Sequence, residues 1–280
     1  MNTVLYVNKP KGITSFDVCY KLRKVFNTKR IGHTGTLDPN ATGVMIVLID
    51  EATKAAQFLV SDAKEYYARV KLGIETDSLD ICGNIIKKSD YQMPSQKEIE
   101  NVLISFLGKS KQIVPLTSAK KINGKKLYQY KNDNQDVDLP VIDIEVFSIK
   151  LINLNEDGFD FLVSVSSGTY IRSLVRDICL KLNIVGTTLE LKRTKIDQIS
   201  IDDCDELTDI LDGNYKHHSL LDVLKTRYKT FDINNVDDVK NGKRLNIDSN
   251  DKFVLITNND ELIAMYTKDG NQYKSARGLW

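Results

Sequence analysis

Apolar residues recur along this chain at two spacings, one suited to helices and one to strands. Residues 4–8 read as a short strand, closed by the turn signal Lys9-Pro10-Lys11-Gly12. Thr14 or Ser15 then caps a helix whose apolar positions Val18, Cys19, Leu22, Val25 and Phe26 line one face. The unbroken run at 44–49 predicts a buried strand. Ala52, Ala55, Ala56 and Leu59 predict a short helix over 51–60, and residues 66–73 a strand. Ser95-Gln96-Lys97-Glu98 is a capping box before Ile99, Val102, Leu103 and Phe106, with Gly108 as the stop. Residues 141–151 and 159–166 alternate as strands. Residues 170–182 put Ile171, Leu174, Val175, Ile178 and Leu182 on one helical side. From 229 onward, short apolar pieces alternate with Asn-Asn-Asp and Asp-Gly turns, the pattern of a small β-domain.

Helices and strands are mixed without a regular βαβ period and without internal repeats, which predicts an α+β fold. The change at 229 divides the chain into 1–228 and 229–280, and a length of 280 residues agrees with two domains at roughly 150 residues each. With 41% hydrophobic and 28% charged residues, wholesale disorder is excluded. The N-terminus has no basic segment followed by an apolar stretch, and the longest apolar run falls far short of the roughly 20 residues of a membrane helix. Cys19, Cys82, Cys179 and Cys204 are scattered, which argues against a zinc site or a disulfide framework. A cytoplasmic, metal-free protein with no membrane association is expected.

The net charge of +1 conceals a local segregation. Residues 18–37 carry Lys21, Arg23, Lys24, Lys29 and Arg30 and no acid. Residues 101–132 carry Lys109, Lys111, Lys120, Lys121, Lys125, Lys126 and Lys131, again without an acid. Acids gather at Asp202, Asp203, Asp205, Glu206, Asp209 and Asp212. One basic and one acidic face suit a polyphosphate partner, although either lysine run alone fits solvated surface equally well.

Candidate chemistry concentrates at 32–44, Gly-His-Thr-Gly-Thr-Leu-Asp-Pro-Asn-Ala-Thr-Gly-Val. Three glycines allow tight turning and close approach to a ligand. Asp38, biased toward extended backbone by Pro39, stands directly before the buried strand. That placement suits a nucleophile or base, while an Asp-Pro loop turn without function is the plainer reading.

Lys9-Pro10-Lys11-Gly12-Ile13-Thr14-Ser15 and Gly32 to Gly43 together resemble the bacterial tRNA pseudouridine-55 synthase family, TruB. The likeness continues through Glu51-Ala52-Thr53-Lys54, Lys64-Glu65-Tyr66, Leu72-Gly73 with Thr76-Asp77, and Ser118-Ala119-Lys120. Gly124-Lys125-Lys126-Leu127-Tyr128 and Gly168-Thr169-Tyr170-Ile171-Arg172 carry it further, so that ordered matches span residues 7–193. The resemblance implies a mixed, largely antiparallel sheet of the pseudouridine synthase type with flanking helices. It also implies a short PUA-like RNA-binding domain at 229–280, a region whose charge balance alone does not suggest RNA. The implied activity is isomerisation of one uridine in the T-loop of tRNA, without cofactor or metal, by a monomer needing no protein partner.

By the same resemblance Asp38 is the nucleophile, whether it attacks the ribose, adds to the base or assists a glycal route. Arg172 is its charge partner, since a guanidinium within ~4–6 Å lowers a carboxylate pKa; unaided, Arg172 reads as a surface arginine on the first turn of a helix. Tyr66 matches the tyrosine that stacks on the flipped base, and a slip of one residue would give its place to Tyr67. Leu191, which reads unaided as core, matches the apolar residue on the other side of the base pocket. Lys9, His33, Lys125, Lys126, Tyr170 and Arg193 are the implied RNA contacts. Extruding the target nucleotide costs a few kcal/mol, recovered by stacking in the pocket.

Three departures from the family pattern stand out. Thr117 replaces the aromatic residue often found before Ser-Ala, Lys131-Asn132 replaces Ala-Arg, and Lys192-Arg193 replaces Arg-Arg. A non-catalytic RNA-binding protein on the same scaffold is the alternative, opposed by the joint presence of Asp38, Tyr66 and Arg172. A glycoside hydrolase would need a second acid, for which Asp77 and Asp80 lack an apolar context. A guide-RNA-dependent synthase is disfavoured by the short chain.

Overall fold

Thr14 starts the first helix of the computed structural model, which describes residues 2–280. Its side chain accepts from the Asp17 amide while the Asp17 carboxylate accepts from the Thr14 amide, a capping box that opens α1 (Ser15–Phe26). Around it lie β1 (Asn2–Lys9), β2 (Ile31–His33) and β3 (Thr42–Asp50). The chain continues through β4 (Ala63–Leu72), β5 (Ile74–Thr76), β6 (Ile85–Lys88), α2 (Gln96–Ile104) and β7 (Gly108–Ile113). The hairpin β8 (Lys121–Ile122) and β9 (Lys125–Lys126) leads into α3 (Leu127–Asn132). Two long strands, β10 (Val141–Asn155) and β11 (Gly158–Ser166), precede α4 (Ile171–Lys181) and β12 (Gly186–Ile196).

The chain divides into two compact units. One takes residues up to Pro39, Val44–Val60 and Asp202–Trp280, and the other takes Asn40–Gly43 and Ser61–Ile201. In the first, α1 lays Val18, Cys19 and Leu22 on Leu5 and Val7 of β1 and on Met45, Val47 and Ile49 of β3. Val44, Ile46 and Leu48 on the opposite face are fully buried as well. Burial on both faces is why β3 reads as a continuous apolar run rather than an alternation.

The same unit holds the C-terminal sheet, with Thr230–Asp232, Phe253–Asn258, Glu261–Asp269 and Gln272–Gly278 as neighbouring strands in that order. Its core contains Val254, Ile256, Ala264 and two buried tyrosines, Tyr266 and Tyr273. Their hydroxyls donate to the carbonyls of Lys243, Ser249 and Asp251, which removes the cost of burying them. This is the small β-domain that the alternation predicts. Phe253 meets Phe58 edge-on at 5.4 Å, and Lys54 Nζ donates to the Trp280 carbonyl at 2.6 Å.

In the second unit β12, β4, β11, β10 and β7 are neighbours in that order, each pair antiparallel, and the first residues of β3 join β12 in parallel. The sheet is therefore mixed and largely antiparallel. Among the described residues no helix is long and apolar enough to cross a membrane.

Two local expectations change. The helix expected over 51–60 forms as a 3₁₀ helix, Glu51–Phe58, burying Ala52, Ala55 and Phe58 at a spacing of three; Ala56 is left only half-buried. Strand β12, central in the sheet, has no counterpart in the apolar pattern. Its pairing with β4 shifts register between Thr188 and Glu190 and again between Arg193 and Lys195, and each bulge breaks the two-residue alternation.

Candidate active site

Asp38 is half-buried, and the structure fixes the backbone on both sides of it. The Leu37 amide donates to Ser15 Oγ at 2.9 Å, and the same hydroxyl donates to the Leu37 carbonyl at 3.2 Å. After Asp38, the Pro39 carbonyl accepts from the Gly12 amide at 2.8 Å and from Lys9 Nζ at 3.1 Å. Gly12 sits at φ +90, a conformation that presents its N–H to Pro39 and that a side chain would oppose. Lys9 Nζ also donates to the carbonyls of Pro10 at 2.8 Å and Ile13 at 2.7 Å. The turn Lys9-Pro10-Lys11-Gly12 is thus the clamp of the Asp38 loop.

Lys9 is also one of the residues expected to contact RNA. Its side chain is fully buried, and its ammonium is used on backbone carbonyls, as a buried charge must be. His33 ends β2 opposite Val47 and is half-buried.

In the second unit, register places Tyr66 and Leu191 together. Arg193 pairs with Tyr66 and Leu191 pairs with Ala68, so all four side chains project from one face of the sheet. Tyr66 is 8% exposed and Leu191 9%, enough to keep each at the edge of a core rather than sealed within it. Tyr67 points to the other face, where burial and then a hydrogen bond with Asp160 push its phenol up to about 12. Arg193 also pairs with Gly43, five residues after Asp38 in the sequence. Gly43 lies at φ +108, and a Cβ there would fall 2.1 Å from the Arg193 carbonyl oxygen, so only glycine fits. Arg193, expected as an RNA contact, is itself 1% exposed.

Arg172, in the first turn of α4, is buried rather than a surface arginine. Nη1 donates to the Ser78 carbonyl at 2.7 Å and to Thr117 Oγ1 at 2.6 Å, and Nη2 donates to the Thr117 carbonyl at 2.9 Å. Asp80 Oδ2 lies 3.9 Å from Nη1. The start of α4 lacks a side-chain cap of its own. Instead the buried Gln112 amide accepts from the Tyr170 N–H at 2.8 Å and donates to the Tyr170 carbonyl at 3.1 Å, anchoring the helix to β7. Tyr170 is half-buried. Ser15 therefore supports the Asp38 loop, and Gln112 and Thr117 support α4 and Arg172. Ser15 reads from sequence as a possible helix cap and the last residue of the Lys9 to Ser15 motif, Thr117 only as a departure from a pattern, and Gln112 carries no signal at all.

The lysine-rich segment is a hairpin turning at Asn123-Gly124. Lys125 pairs with Asp133 at 2.6 Å, donates to Gln135 and covers the Tyr130 ring at 4.5 Å. Lys126 lies 5.5 Å from the Tyr128 ring. Lys131, where the family pattern has Ala, pairs with Asp77 at 2.9 Å and holds the acid below its ordinary value. Lys109, Lys111, Lys120 and Lys121 are exposed. Of the expected site residues, Tyr66, Arg172, Leu191, Tyr170, Lys125, Lys126 and Arg193 belong to the second unit, and Lys9, His33 and Asp38 to the first.

Residues 23–171 match the family described as TruB family pseudouridylate synthase (N terminal domain). The chain is 33% identical to tRNA pseudouridine synthase B of Lactobacillus acidophilus, over 98% of this chain and 97% of the relative. It is 37% identical to the Mycoplasma capricolum protein of the same name, over 98% and 96%. The Caldicellulosiruptor saccharolyticus protein of that name reaches 44% over 70% of this chain and 67% of its own. Among solved structures, a Cbf5-Nop10-Gar1 complex contains a chain superposing with a TM-score of 0.74 at 24% identity, covering 99% of this chain and 85% of that one. At that identity the likeness speaks for the fold alone.

Proposed function

From its membership of the TruB family of pseudouridylate synthases, to which this chain belongs, we propose that it converts a uridine in the T-loop of tRNA to pseudouridine, with Asp38 as nucleophile. The chain is a tRNA pseudouridine synthase, an isomerase. The finer reading is the position in the T-loop, the role of each residue, and action as a monomer in the cytoplasm. The observation that carries it is the clamped loop, in which the residues before and after Asp38 are each tied to the turn at Lys9 to Ser15.

The reaction breaks the bond from N1 of uracil to C1′ of ribose and forms one from C5 to C1′. C5 loses its proton and N1 gains one, so no atom or electron is gained overall. A carboxylate whose backbone is fixed before substrate arrives loses little conformational freedom during the reaction, which lowers the barrier entropically. Asp38 supplies the anion, and Arg172 brings a cation to the base pocket. Tyr66 and Leu191, neighbours on one sheet face, receive the flipped base between an aromatic and an aliphatic surface. Lys126, Lys125, Tyr170 and His33 serve RNA binding, in which a structured stem-loop is read by shape and phosphate. Residues 229–280 form an accessory RNA-binding domain of PUA type beside a catalytic domain of 1–228.

Tritium release from 5-tritiated uridine in T-arm RNA tests this reading. Release should be stoichiometric with the T-loop uridine and absent when that uridine is replaced by cytidine. Release from other uridines at the same rate would overturn the T-loop assignment.

A further inference from the structure

We propose that Thr117 is a positioning residue for Arg172, setting the plane of its guanidinium through both its hydroxyl and its carbonyl. The inference deepens the proposed function and rests on the reading that Arg172 serves the reaction.

Two guanidinium nitrogens bond to two atoms of this one residue, Nη1 to Thr117 Oγ1 at 2.6 Å and Nη2 to the Thr117 carbonyl at 2.9 Å. Two such bonds from a rigid planar fork fix both the direction and the rotation of the group. The hydroxyl cannot turn away, because it donates to the Ser78 carbonyl at 3.2 Å and so presents a lone pair to Nη1. The Ser78 carbonyl closes the arrangement by accepting from Nη1 at 2.7 Å. These three acceptors are neutral and closer than the Asp80 carboxylate, whose Oδ2 lies 3.9 Å from Nη1, so the orientation of the fork is set by hydrogen bonds to Ser78 and Thr117. A branched Cβ restricts the Thr117 side chain to few rotamers, which makes threonine a better guide than a longer hydroxyl carrier.

Thr117 also stands at the head of the lysine-rich segment, and Lys131 at its far end is bonded to Asp77, next to Ser78. The loop that receives Arg172 is therefore held at the adjacent residues Asp77 and Ser78 by two residues of the segment proposed to meet RNA, Lys131 and Thr117.

The test compares Thr117→Val, Thr117→Ser, Arg172→Met and the Thr117→Val/Arg172→Met double variant of the full chain. Pseudouridine formation is measured under single-turnover conditions at saturating T-arm RNA, with filter binding on the same RNA. Thr117→Val keeps the shape and removes the hydroxyl, so its rate should fall by about tenfold with affinity within about twofold. Thr117→Ser keeps the hydroxyl and should stay within about threefold of the wild-type rate. Because both residues act as one unit, the double variant should be no slower than Arg172→Met alone. Should valine unsettle the fold, Thr117→Ala carries the same expectation. A wild-type rate in Thr117→Val, a Thr117→Ser as slow as Thr117→Val, or a double variant slowed by the full product of the single effects would each overturn the proposal. Full activity of Arg172→Met, or no pseudouridine from the wild type, would sink the underlying reading and the proposal with it, a result separable from the first three.

Discussion

Lys9, without solvent exposure, donates its ammonium to the Pro39 carbonyl at 3.1 Å, so the chain directly after Asp38 is held by a residue from the opposite end of α1. A buried cation costs several kcal/mol unless it is well hydrogen-bonded, and the carbonyls of Pro10, Ile13 and Pro39 meet that need. The same bonds convert a flexible Gly-rich loop into a fixed platform.

Replacing Lys9 by methionine removes its ammonium from the carbonyls of Pro10, Ile13 and Pro39, of which Pro39 keeps the Gly12 amide as donor. We expect a loss of about 3 kcal/mol in urea unfolding and a slower reaction, with the salt dependence of RNA binding unchanged. Wild-type stability together with a shallower salt slope would return Lys9 to the RNA interface.

Gly43→Ala places a Cβ 2.1 Å from the Arg193 carbonyl oxygen and 2.8 Å from its amide nitrogen, in a backbone conformation alanine rarely adopts. Neither neighbour is a flexible side-chain end, so β3 and β12 must separate locally. The expected loss is about 3 kcal/mol or more in urea unfolding, and a midpoint equal to the wild type would show that the pairing is not rigid.

Much of this was legible in the sequence. The caps at Thr14 and Ser95, the buried run at 44–49 and the C-terminal β pattern all follow from local rules and appear as read. The illegible parts depend on partners distant in sequence. β12 hides behind its bulges, and Arg193, implied by the resemblance as an RNA contact, is buried where Tyr66 and Gly43 flank it. Arg172 reads unaided as a surface arginine and Lys9 is implied as an RNA contact, yet carbonyls from Ser78, Thr117, Ile13 and Pro39 receive them in the interior. No window of local sequence contains both a charge and the carbonyls that will receive it.

His218 stacks on Tyr6 with ring centroids 4.1 Å apart, and its pKa is lowered from 6.5 by burial, then by His217 and Lys216, against the opposing pull of Asp205 and Asp203. A base with a depressed folded pKa favours the folded state above its unfolded value of 6.5 and loses that contribution as pH falls through the folded one. Wild-type stability should therefore drop more between about pH 7.5 and about pH 5.5 than that of His218→Phe, which keeps the stack without the charge. Equal drops in urea midpoint would show that another group titrates.

Lys125 and Lys126 differ in their existing partners. Lys125 is already bonded to Asp133 and Gln135 through its ammonium, whereas the Lys126 ammonium lies 5.5 Å from the Tyr128 ring. Lys126→Ala should reduce the slope of log affinity against log salt by about one, as expected for one lost phosphate contact, and Lys125→Ala by less. The reverse order would assign the RNA contact to Lys125 and make its ion pair a resting state.

Asp38→Asn is the most decisive substitution. Asparagine keeps the size of the side chain and much of its hydrogen bonding but removes its charge and its nucleophilicity. The clamp from Lys9, Gly12 and Ser15 acts on the backbone of Leu37 and Pro39, so the loop should keep its shape in the variant. Binding of T-arm RNA should stay within about severalfold of wild type, because an interaction used only in the transition state shows in the rate and not in affinity. Pseudouridine formation should be lost under single-turnover conditions. Appreciable conversion by the asparagine variant, after mass spectrometry excludes deamidation to aspartate, would move the nucleophile to another residue. Loss of RNA affinity in parallel with the rate would instead make Asp38 a binding residue.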